Sequence, residues 1–303
     1  AVLNGYRARV GLPTVPYDST LDAALRAHAN YLQLNIAKTD LNPFTEVSSY
    51  PGYTAAGAAL APFTSVTFQS ANYSAAIELL MMSPFERTYS FLHPDAAGFA
   101  ITRTTDFTVM AFSYGNNPQT PALSFPAGSG HRQLAFSSSV APFYTGYCSQ
   151  QSSAWGYPIT AQFDYREFDS ITGVSTSLFR DGVPISYCLL YQNSQTDIKA
   201  QAVLIPTAPL VQGSRYTGTV TATGVRPDGT TAPLSLTIDF TTWAPASATP
   251  GDQTGDRVAD VLTVDPTGNL RMYKGVTPGT MGYGWVIGGG WGSFTWVAHT
   301  PDI

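Results

Sequence analysis

Apolar residues recur at a helical spacing in the first part of this chain and at a strand spacing in the rest. Over 21–35 they follow one another at intervals of three and four residues, which predicts an amphipathic helix. A second helix is predicted over 74–82, and Pro84 ends it because proline disfavours helix in the residue before it. The segments 98–101 and 107–114 are predicted strands. The first part is therefore expected to be mixed α and β structure.

Strand and turn patterns fill the middle of the chain. Strands are predicted over 157–163, 216–222 and 234–242, and the last of these alternates apolar and polar residues. Turn sequences such as Asp181-Gly182 separate the strands. The pattern predicts a β-sandwich over 120–244.

A linker of small residues and proline, 244–250, precedes the last segment, 251–303. Strands are predicted in that segment at 261–264 and 270–273. The chain is therefore expected to contain three domains, over 1–115, 120–244 and 251–303.

Composition excludes several classes of protein. Charged residues make up 12% of the chain, and 15 basic against 20 acidic residues give a net charge of −5. Because no basic patch is present, no nucleic-acid partner is expected. No apolar stretch reaches the roughly 18 residues of a membrane-spanning helix, so no transmembrane segment is expected. The chain opens on Ala1-Val2-Leu3-Asn4, as expected of a secreted protein whose signal peptide has been removed.

The two cysteines, Cys148 and Cys188, both follow a tyrosine in a strand-like context. A disulfide inside the middle domain is the favoured prediction, which agrees with secretion. The alternative is two separate buried thiols, because free cysteine packs as a small apolar residue.

Four motifs in the first domain carry a resemblance to a known family. They are Asn4-Gly5-Tyr6-Arg7-Ala8, the helix over 21–35 with its alanines and His28, Pro51-Gly52-Tyr53-Thr54, and Ser83-Pro84-Phe85-Glu86-Arg87. This part of the chain resembles the bacterial branch of the CAP family (cysteine-rich secretory proteins, antigen 5 and pathogenesis-related 1). The resemblance implies a three-layer α/β/α sandwich over 1–115 and an open cleft in which two histidines and acidic residues bind a divalent metal.

The histidines of that cleft are replaced in this chain. Glu86 stands where the second histidine is expected, and Phe44 stands where the first is expected, two residues before Glu46. Carboxylates alone do not replace a neutral nitrogen ligand for zinc. The candidate cleft-binding residues are Glu46, Glu78, Glu86 and Arg87. The alternative for the last two is an ordinary ion pair at a helix end, and His28 is expected to be a packed core residue.

The other two domains also carry resemblances. The motifs Pro209-Leu210, Tyr216-Thr217 and Phe240-Thr241-Thr242 resemble bacterial immunoglobulin-like modules, which implies an Ig-like β-sandwich. The segment 251–262 resembles one FG-GAP-type β-propeller repeat, as found in secreted actinobacterial proteins. A single blade cannot bury both its faces, so it is expected either to be cut from a longer array or to pack on another domain or chain. The expected fold class is multidomain α+β: a CAP-like α/β/α sandwich, an Ig-like β-sandwich and a single β-propeller-type blade.

An acidic loop at the start of the last segment suggests a calcium site. Side-chain oxygens stand at the first, third, fifth and ninth positions of the loop, and a backbone carbonyl at the seventh completes the set. The candidate ligands are Asp252, Thr254, Asp256, Val258 (through its carbonyl) and Asp260. The alternative is an acidic turn held by side-chain hydrogen bonds without Ca²⁺. No organic cofactor is expected.

These patterns favour a secreted binding or surface-interaction protein without catalytic activity, whose partner is an extracellular lipid, glycan or protein. One alternative is a hydrolase that uses a remodelled acidic cleft. Another is a structural subunit that self-assembles through its C-terminal blade.

Overall fold

The computed structural model describes residues 2–115, 122–136, 141, 145–149, 152–191, 200–244, 260–277 and 280–289. The chain divides into two units, Ala1–Thr242 and Trp243–Ile303. The helices are α1 Val2–Arg9, α2 Asp22–Leu34, α3 Ala55–Leu60, α4 Tyr73–Met82 and the single turn α5 Pro84–Glu86, which a π-helical turn, Arg87–Phe91, follows directly. The strands are β1 Thr64–Phe68, β2 Ala96–Arg103, β3 Phe107–Tyr114, β4 Leu123–Phe125, β5 Gly128–His131, β6 Ile159–Gln162, β7 Ser170–Arg180, β8 Val183–Pro184, β9 Tyr187–Tyr191, β10 Gln201–Pro206, β11 Arg215–Val225, β12 Thr231–Thr242, β13 Val261–Val264, β14 Leu270–Thr277 and β15 Thr280–Gly288.

Side-chain caps fix where two of the helices begin. The Thr54 hydroxyl accepts a hydrogen bond from the Gly57 backbone N–H at 2.9 Å and starts α3. The Asn72 side chain accepts one from the Ala75 N–H at 2.9 Å and starts α4. Such caps satisfy backbone donors that have no partner inside the helix. The predicted helices over 21–35 and 74–82 are confirmed as α2 and α4.

The first sheet is antiparallel with strand order β1-β3-β2. On one face, Leu25 and Leu32 of α2 pack against Ala100 and Val109 in a hydrophobic cluster. This packing explains the helical spacing of apolar residues in α2, since only one side of the helix meets the sheet. The predicted strands over 98–101 and 107–114 are confirmed as β2 and β3.

The predicted fold class, a multidomain α+β protein with a CAP-like α/β/α sandwich, is wrong. The protein is mostly β, with 42% strand against 20% helix, in several sheets of which none closes into a barrel within the described residues. The second face of the first sheet is not completed by residues 1–115 alone. Leu80 and Met110 belong to a hydrophobic cluster that also contains Ile159 and Phe240. Three strands with short helices bury little apolar area, and later strands complete this core.

Two further sheets follow in the first unit, with strand orders β4-β6-β10-β9 and β5-β12-β11-β7-β8. Every residue of β10 is buried, which makes it a central strand. β11 alternates buried and exposed residues, so one of its faces meets the core. Residues of both sheets share the large cluster around Ile159 and Phe240. The assignment of these strands to an Ig-like module stays a prediction.

The predicted disulfide between Cys148 and Cys188 is confirmed. Their Cα atoms are 5.7 Å apart, and the bond closes a loop of 40 residues in sequence separation. Both cysteines lie in a smaller hydrophobic cluster with Phe136, Leu190 and Ile205. The bond therefore ties β9 to a segment that precedes β6.

The described part of the second unit is an antiparallel sheet with strand order β13-β14-β15. The turn between β13 and β14 is held by Asp265, whose carboxylate accepts hydrogen bonds from Thr267, Asn269 and Arg271. Among the described residues of these strands, large apolar side chains such as Trp285 are exposed. The assignment of this sheet to a propeller-type blade stays a prediction, and so does self-assembly of the chain through the blade.

Candidate functional site

Glu46, the first candidate cleft residue, is enclosed by the protein. Its side chain and that of His28 are 0% exposed, and Glu46 Oε1 lies 2.9 Å from His28 Nδ1. Glu46 Oε2 accepts a hydrogen bond from the Thr54 backbone N–H at 3.1 Å. The other histidine nitrogen, Nε2, lies 2.9 Å from the Pro43 carbonyl oxygen and must donate to it.

These contacts fix the number of protons that the His28–Glu46 pair holds. Because Nε2 donates to a carbonyl, Nδ1 either donates to an ionised Glu46 or accepts from a protonated one. Both arrangements contain one proton between Nδ1 and the carboxylate, and the pair is neutral overall. A neutral, fully hydrogen-bonded pair is stable in an enclosed position. Glu46 therefore holds the segment after α2 in place, and the prediction that His28 is a packed core residue is confirmed.

Arg87, the fourth candidate, is also completely buried. Its Nη1 donates to the Met81 carbonyl at 3.2 Å, and its Nη2 donates to the Pro158 carbonyl at 3.0 Å and to the Thr160 hydroxyl. The guanidinium carbon lies 5.2 Å from the centre of the Tyr157 ring. This side chain joins the end of α4 to the start of β6, and a solvent-borne ligand does not reach it.

Glu86, next to Arg87 in sequence, has different surroundings. It is half-buried, and its Oε2 accepts a hydrogen bond from the Ser65 hydroxyl at 2.7 Å. Burial raises the pKa of Glu86, and the Ser65 hydrogen bond lowers it by a smaller amount. Desolvation of the hydroxyl, and then the nearby Glu86 carboxylate, raise the pKa of Tyr114 to about 12. The surroundings of Glu86 therefore make its carboxyl harder to ionise.

Glu78, the remaining candidate, lines an open cleft. The cleft has a volume of about 270 Å³ and is formed by α1, α4 and the segment after β5. We call it the Tyr6–Glu78 cleft. Its lining residues are Val2, Gly5, Tyr6, Arg9, Glu78, Arg132 and Gln133.

Hydrogen bonds hold the Glu78 carboxylate at the wall of the cleft. Glu78 Oε2 accepts from the Tyr6 hydroxyl and, at 3.2 Å, from Gln133 Nε2. Burial, followed by the hydrogen bond to Glu78, raises the pKa of Tyr6 far above its usual range. Tyr6 therefore keeps its proton and is the donor in this hydrogen bond. The Tyr6 ring packs edge-on against Phe125, with ring centres 5.6 Å apart, so its position is set by the core.

Two arginines bring positive charge to the same cleft. Arg9 is exposed, and its guanidinium carbon lies 5.7 Å from the centre of the Tyr6 ring. Arg132 comes from the segment after β5. The sequence did not indicate Gly5, Tyr6, Arg9, Arg132 or Gln133 as site residues, although Gly5 and Tyr6 fall inside the first motif of the CAP resemblance. Only packing brings the residues around 132 next to the first helix.

Most of the predicted calcium loop lies outside the described residues. The candidate ligands outside them are Asp252, Thr254, Asp256 and Val258. Asp260 is described, is 8% exposed, and its Oδ1 accepts a hydrogen bond from the Gly275 N–H at 2.9 Å. This carboxylate therefore stabilises the β13–β14 pairing, and calcium binding by the loop stays a prediction. Within the described ranges, no three His, Cys, Asp or Glu side chains are placed to hold a metal ion together.

Comparison with known proteins leaves the family of this chain open. No protein-family model matches the sequence, and no curated protein matches it. None of the helices in the described part of the chain has the length and apolar character needed to span a membrane. The resemblances to CAP, Ig-like and FG-GAP modules therefore stay predictions.

Proposed function

We propose that this chain is an extracellular binding protein, without catalytic activity of its own, whose ligand site is the Tyr6–Glu78 cleft. The observation that carries the proposal is the presence of a hydrogen-bonded carboxylate and two guanidinium groups around one open space of about 270 Å³. Clefts that combine a defined shape with a few convergent polar groups are the usual sites of small ligands. The Cys148–Cys188 bond supports the extracellular assignment, because disulfides persist in oxidising compartments.

The chemistry of the lining groups favours binding over catalysis. Tyr6 keeps its proton because burial raises its pKa, and the Gln133 amide does not titrate. Neither histidine nor cysteine is found among the described residues that line the cleft. General acid–base catalysis needs a group that gains and loses a proton near the working pH. Around the Glu78 carboxylate the cleft offers several hydrogen-bond donors, which orient a ligand.

A blocking substitution tests the proposal directly. A Cβ added at Gly5 would have no atom within 4 Å, so a side chain at this position extends into open space in the cleft. Gly5→Leu is expected to fill the cleft while leaving the fold intact, since leucine is also a better helix former than glycine. Ala8→Leu, at an exposed position of α1 outside the cleft lining, is the matched control.

The measurement has two steps. Wild-type protein is screened by thermal shift against amino acids, organic acids and neutral sugars, and each compound that raises the melting temperature is titrated calorimetrically. At least one compound is expected to bind, with Gly5→Leu weakening it tenfold or more and Ala8→Leu leaving it unchanged. If no compound binds, or if Gly5→Leu binds as well as wild type, the cleft is not a small-ligand site and the proposal is wrong.

A second candidate function, a hydrolase, is favoured by one observation at Glu86. A half-buried carboxyl with a raised pKa is suited to general acid–base catalysis, and Glu86 is hydrogen-bonded to the Ser65 hydroxyl. The candidate predicts hydrolysis of small ester substrates by the full chain, with a rate that Glu86→Gln abolishes and Glu78→Gln leaves unchanged. A rate that Glu86→Gln does not alter would remove this candidate.

A further inference from the structure

We infer that His93 is a pH-sensitive switch between the first sheet and the strands that follow it. While the imidazole is neutral, it holds the segment 91–96 against the connection between β6 and β7. A second proton on the ring releases that segment. Three features of the structure carry the inference: the hydrogen bonds of the ring, the charges around it, and the elements that the segment joins. None of them depends on a ligand in the Tyr6–Glu78 cleft.

The first feature is that both nitrogens of the His93 ring have partners that suit the neutral imidazole. Nδ1 accepts a hydrogen bond from the Asp95 backbone N–H at 3.2 Å, so this nitrogen carries no proton. The proton of the neutral ring is therefore on Nε2, which lies 2.6 Å from the Tyr165 hydroxyl oxygen and donates to it. A second proton, on Nδ1, would face the Asp95 N–H, and that hydrogen bond would be lost.

The second feature is the set of charges around the ring. The titratable and charged groups that face His93 are Arg7 of α1, Asp95 of its own segment, Tyr114 of β3, and Tyr165 and Arg166 of the β6–β7 connection. The Asp95 carboxylate is already paired with Arg166. Burial, followed by the charges of Arg166 and Arg7, lowers the pKa of His93 to about 4. The surroundings therefore oppose a charged imidazole as long as the segment stays in place.

The third feature is that the segment joins several elements. The His93 ring packs edge-on against Tyr114 at the end of β3, with ring centres 4.7 Å apart. Arg7 is completely buried, and its Nη1 donates to the carbonyls of His93 at 2.8 Å and Phe91 at 3.0 Å. Release of the segment would break these contacts as well. It would therefore also loosen α1, the helix that carries Tyr6 of the cleft wall.

The pH range of the switch follows from the two states. An exposed histidine has a pKa of about 6.5, whereas His93 in place has a pKa of about 4. The released state therefore binds the proton first as the pH falls, and release becomes more favourable between pH 6.5 and pH 4. The difference in pKa corresponds to an increase of roughly a hundredfold in the population of the released state.

Hydrogen–deuterium exchange of the full chain, resolved by peptide, tests the inference. Exchange at each pH is corrected for the intrinsic rate, which itself depends on pH. Peptides covering 91–97 should lose protection by about tenfold or more between pH 7 and pH 4.5, because their amides become exposed in the released state. Peptides from β11 and β12 should change by less than about threefold over the same range, since these strands do not contact His93.

Two variants isolate the ring and its partner. His93→Gln is the matched variant, because glutamine supplies an acceptor and a donor but does not titrate. It should retain protection of 91–97 at pH 7 and change by less than about threefold at pH 4.5. Tyr165→Phe removes the hydroxyl and keeps the ring, so it should lower protection of 91–97 already at pH 7.

The outcomes decide the inference as follows. If 91–97 and the strands β11 and β12 lose protection equally in the wild type, acid destabilises the whole unit and no local switch exists. A loss in His93→Gln as large as in the wild type would show that another group takes up the proton. Melting temperatures at pH 7 show whether the variants are folded. If His93→Gln is not, equal protection of 91–97 in Tyr165→Phe and wild type at pH 7 still contradicts the contact assigned to the switch.

Discussion

Replacing Arg87 by methionine is expected to destabilise the first unit strongly. Methionine retains much of the length of the arginine side chain but supplies no donor. The Pro158 carbonyl and the Thr160 hydroxyl would each lose a charged donor, and the contact with the Tyr157 ring would be weakened. The Met81 carbonyl would keep its hydrogen bond of 2.7 Å from the Tyr157 hydroxyl.

The magnitude follows from these contacts. A buried acceptor left without a donor costs about 1–3 kcal/mol, and a desolvated cation–π contact is worth about 2 kcal/mol. Removal of the buried charge offsets part of this loss. The net change in the free energy of unfolding is therefore about 3 kcal/mol. For a unit of this size, that corresponds to a fall in melting temperature of roughly 6–12 °C.

Thermal and urea denaturation of Arg87→Met, followed by circular dichroism, measure this change. Arg26→Met, at a side chain that is 68% exposed on α2, is the control and should differ from wild type by less than about 0.5 kcal/mol. The structural role given to Arg87 would be refuted if Arg87→Met melted within 1 °C of wild type. A cleft residue that only contacts a ligand would give that result.

Three further predictions concern other buried groups. Gly57→Ala should destabilise by about 2 kcal/mol in urea denaturation, because the new Cβ would overlap Glu46 Oε1; equal stability to wild type would contradict the closeness of that contact. Burial, followed by the charges of two nearby arginines, lowers the pKa of His93 to about 4 from 6.5. As the pH falls from 6.5 towards 4, His93 binds a proton in the unfolded chain but not in the folded protein. The stability that neutral His93 gives above pH 6.5 is therefore lost over that range. Over that range the free energy of unfolding should fall less steeply in His93→Gln than in the wild type. Parallel curves would contradict the lowered pKa of His93. Replacing both Cys148 and Cys188 by serine should cost roughly 4 kcal/mol from the loop of 40 residues, and an unchanged urea midpoint would show that the bond adds no stability.

Local spacing was sufficient to locate several elements. The strand predicted over 107–114 has the same bounds in the structure, and α2 and α4 lie within one residue of their predicted ends. This agreement has a physical reason. Each element buries one face, and the period of its apolar residues depends only on backbone geometry.

The candidate site was predicted less well because burial of a charged residue is not a local property. Arg7 and Arg9 are two positions apart on α1, yet Arg7 is completely buried and Arg9 is exposed at the cleft. Arg7 Nη1 donates to carbonyls of Phe91 and His93, more than eighty residues away. No motif indicates which of the two arginines will donate a hydrogen bond to a distant carbonyl.

By itself the sequence determined the periods of α2 and the main strands, and its two cysteines favoured the disulfide that the structure confirms between Cys148 and Cys188. Only the tertiary structure decided that strands of the later sheets complete the core begun by β3, that Glu46 and Arg87 are enclosed, and that Glu78 faces an open cleft with Arg9. The physical reason is the separation along the chain of the residues that decide each property. A helix or strand period follows from neighbouring residues, whereas burial, hydrogen-bond partners and the convergence of charges depend on which distant segments pack together.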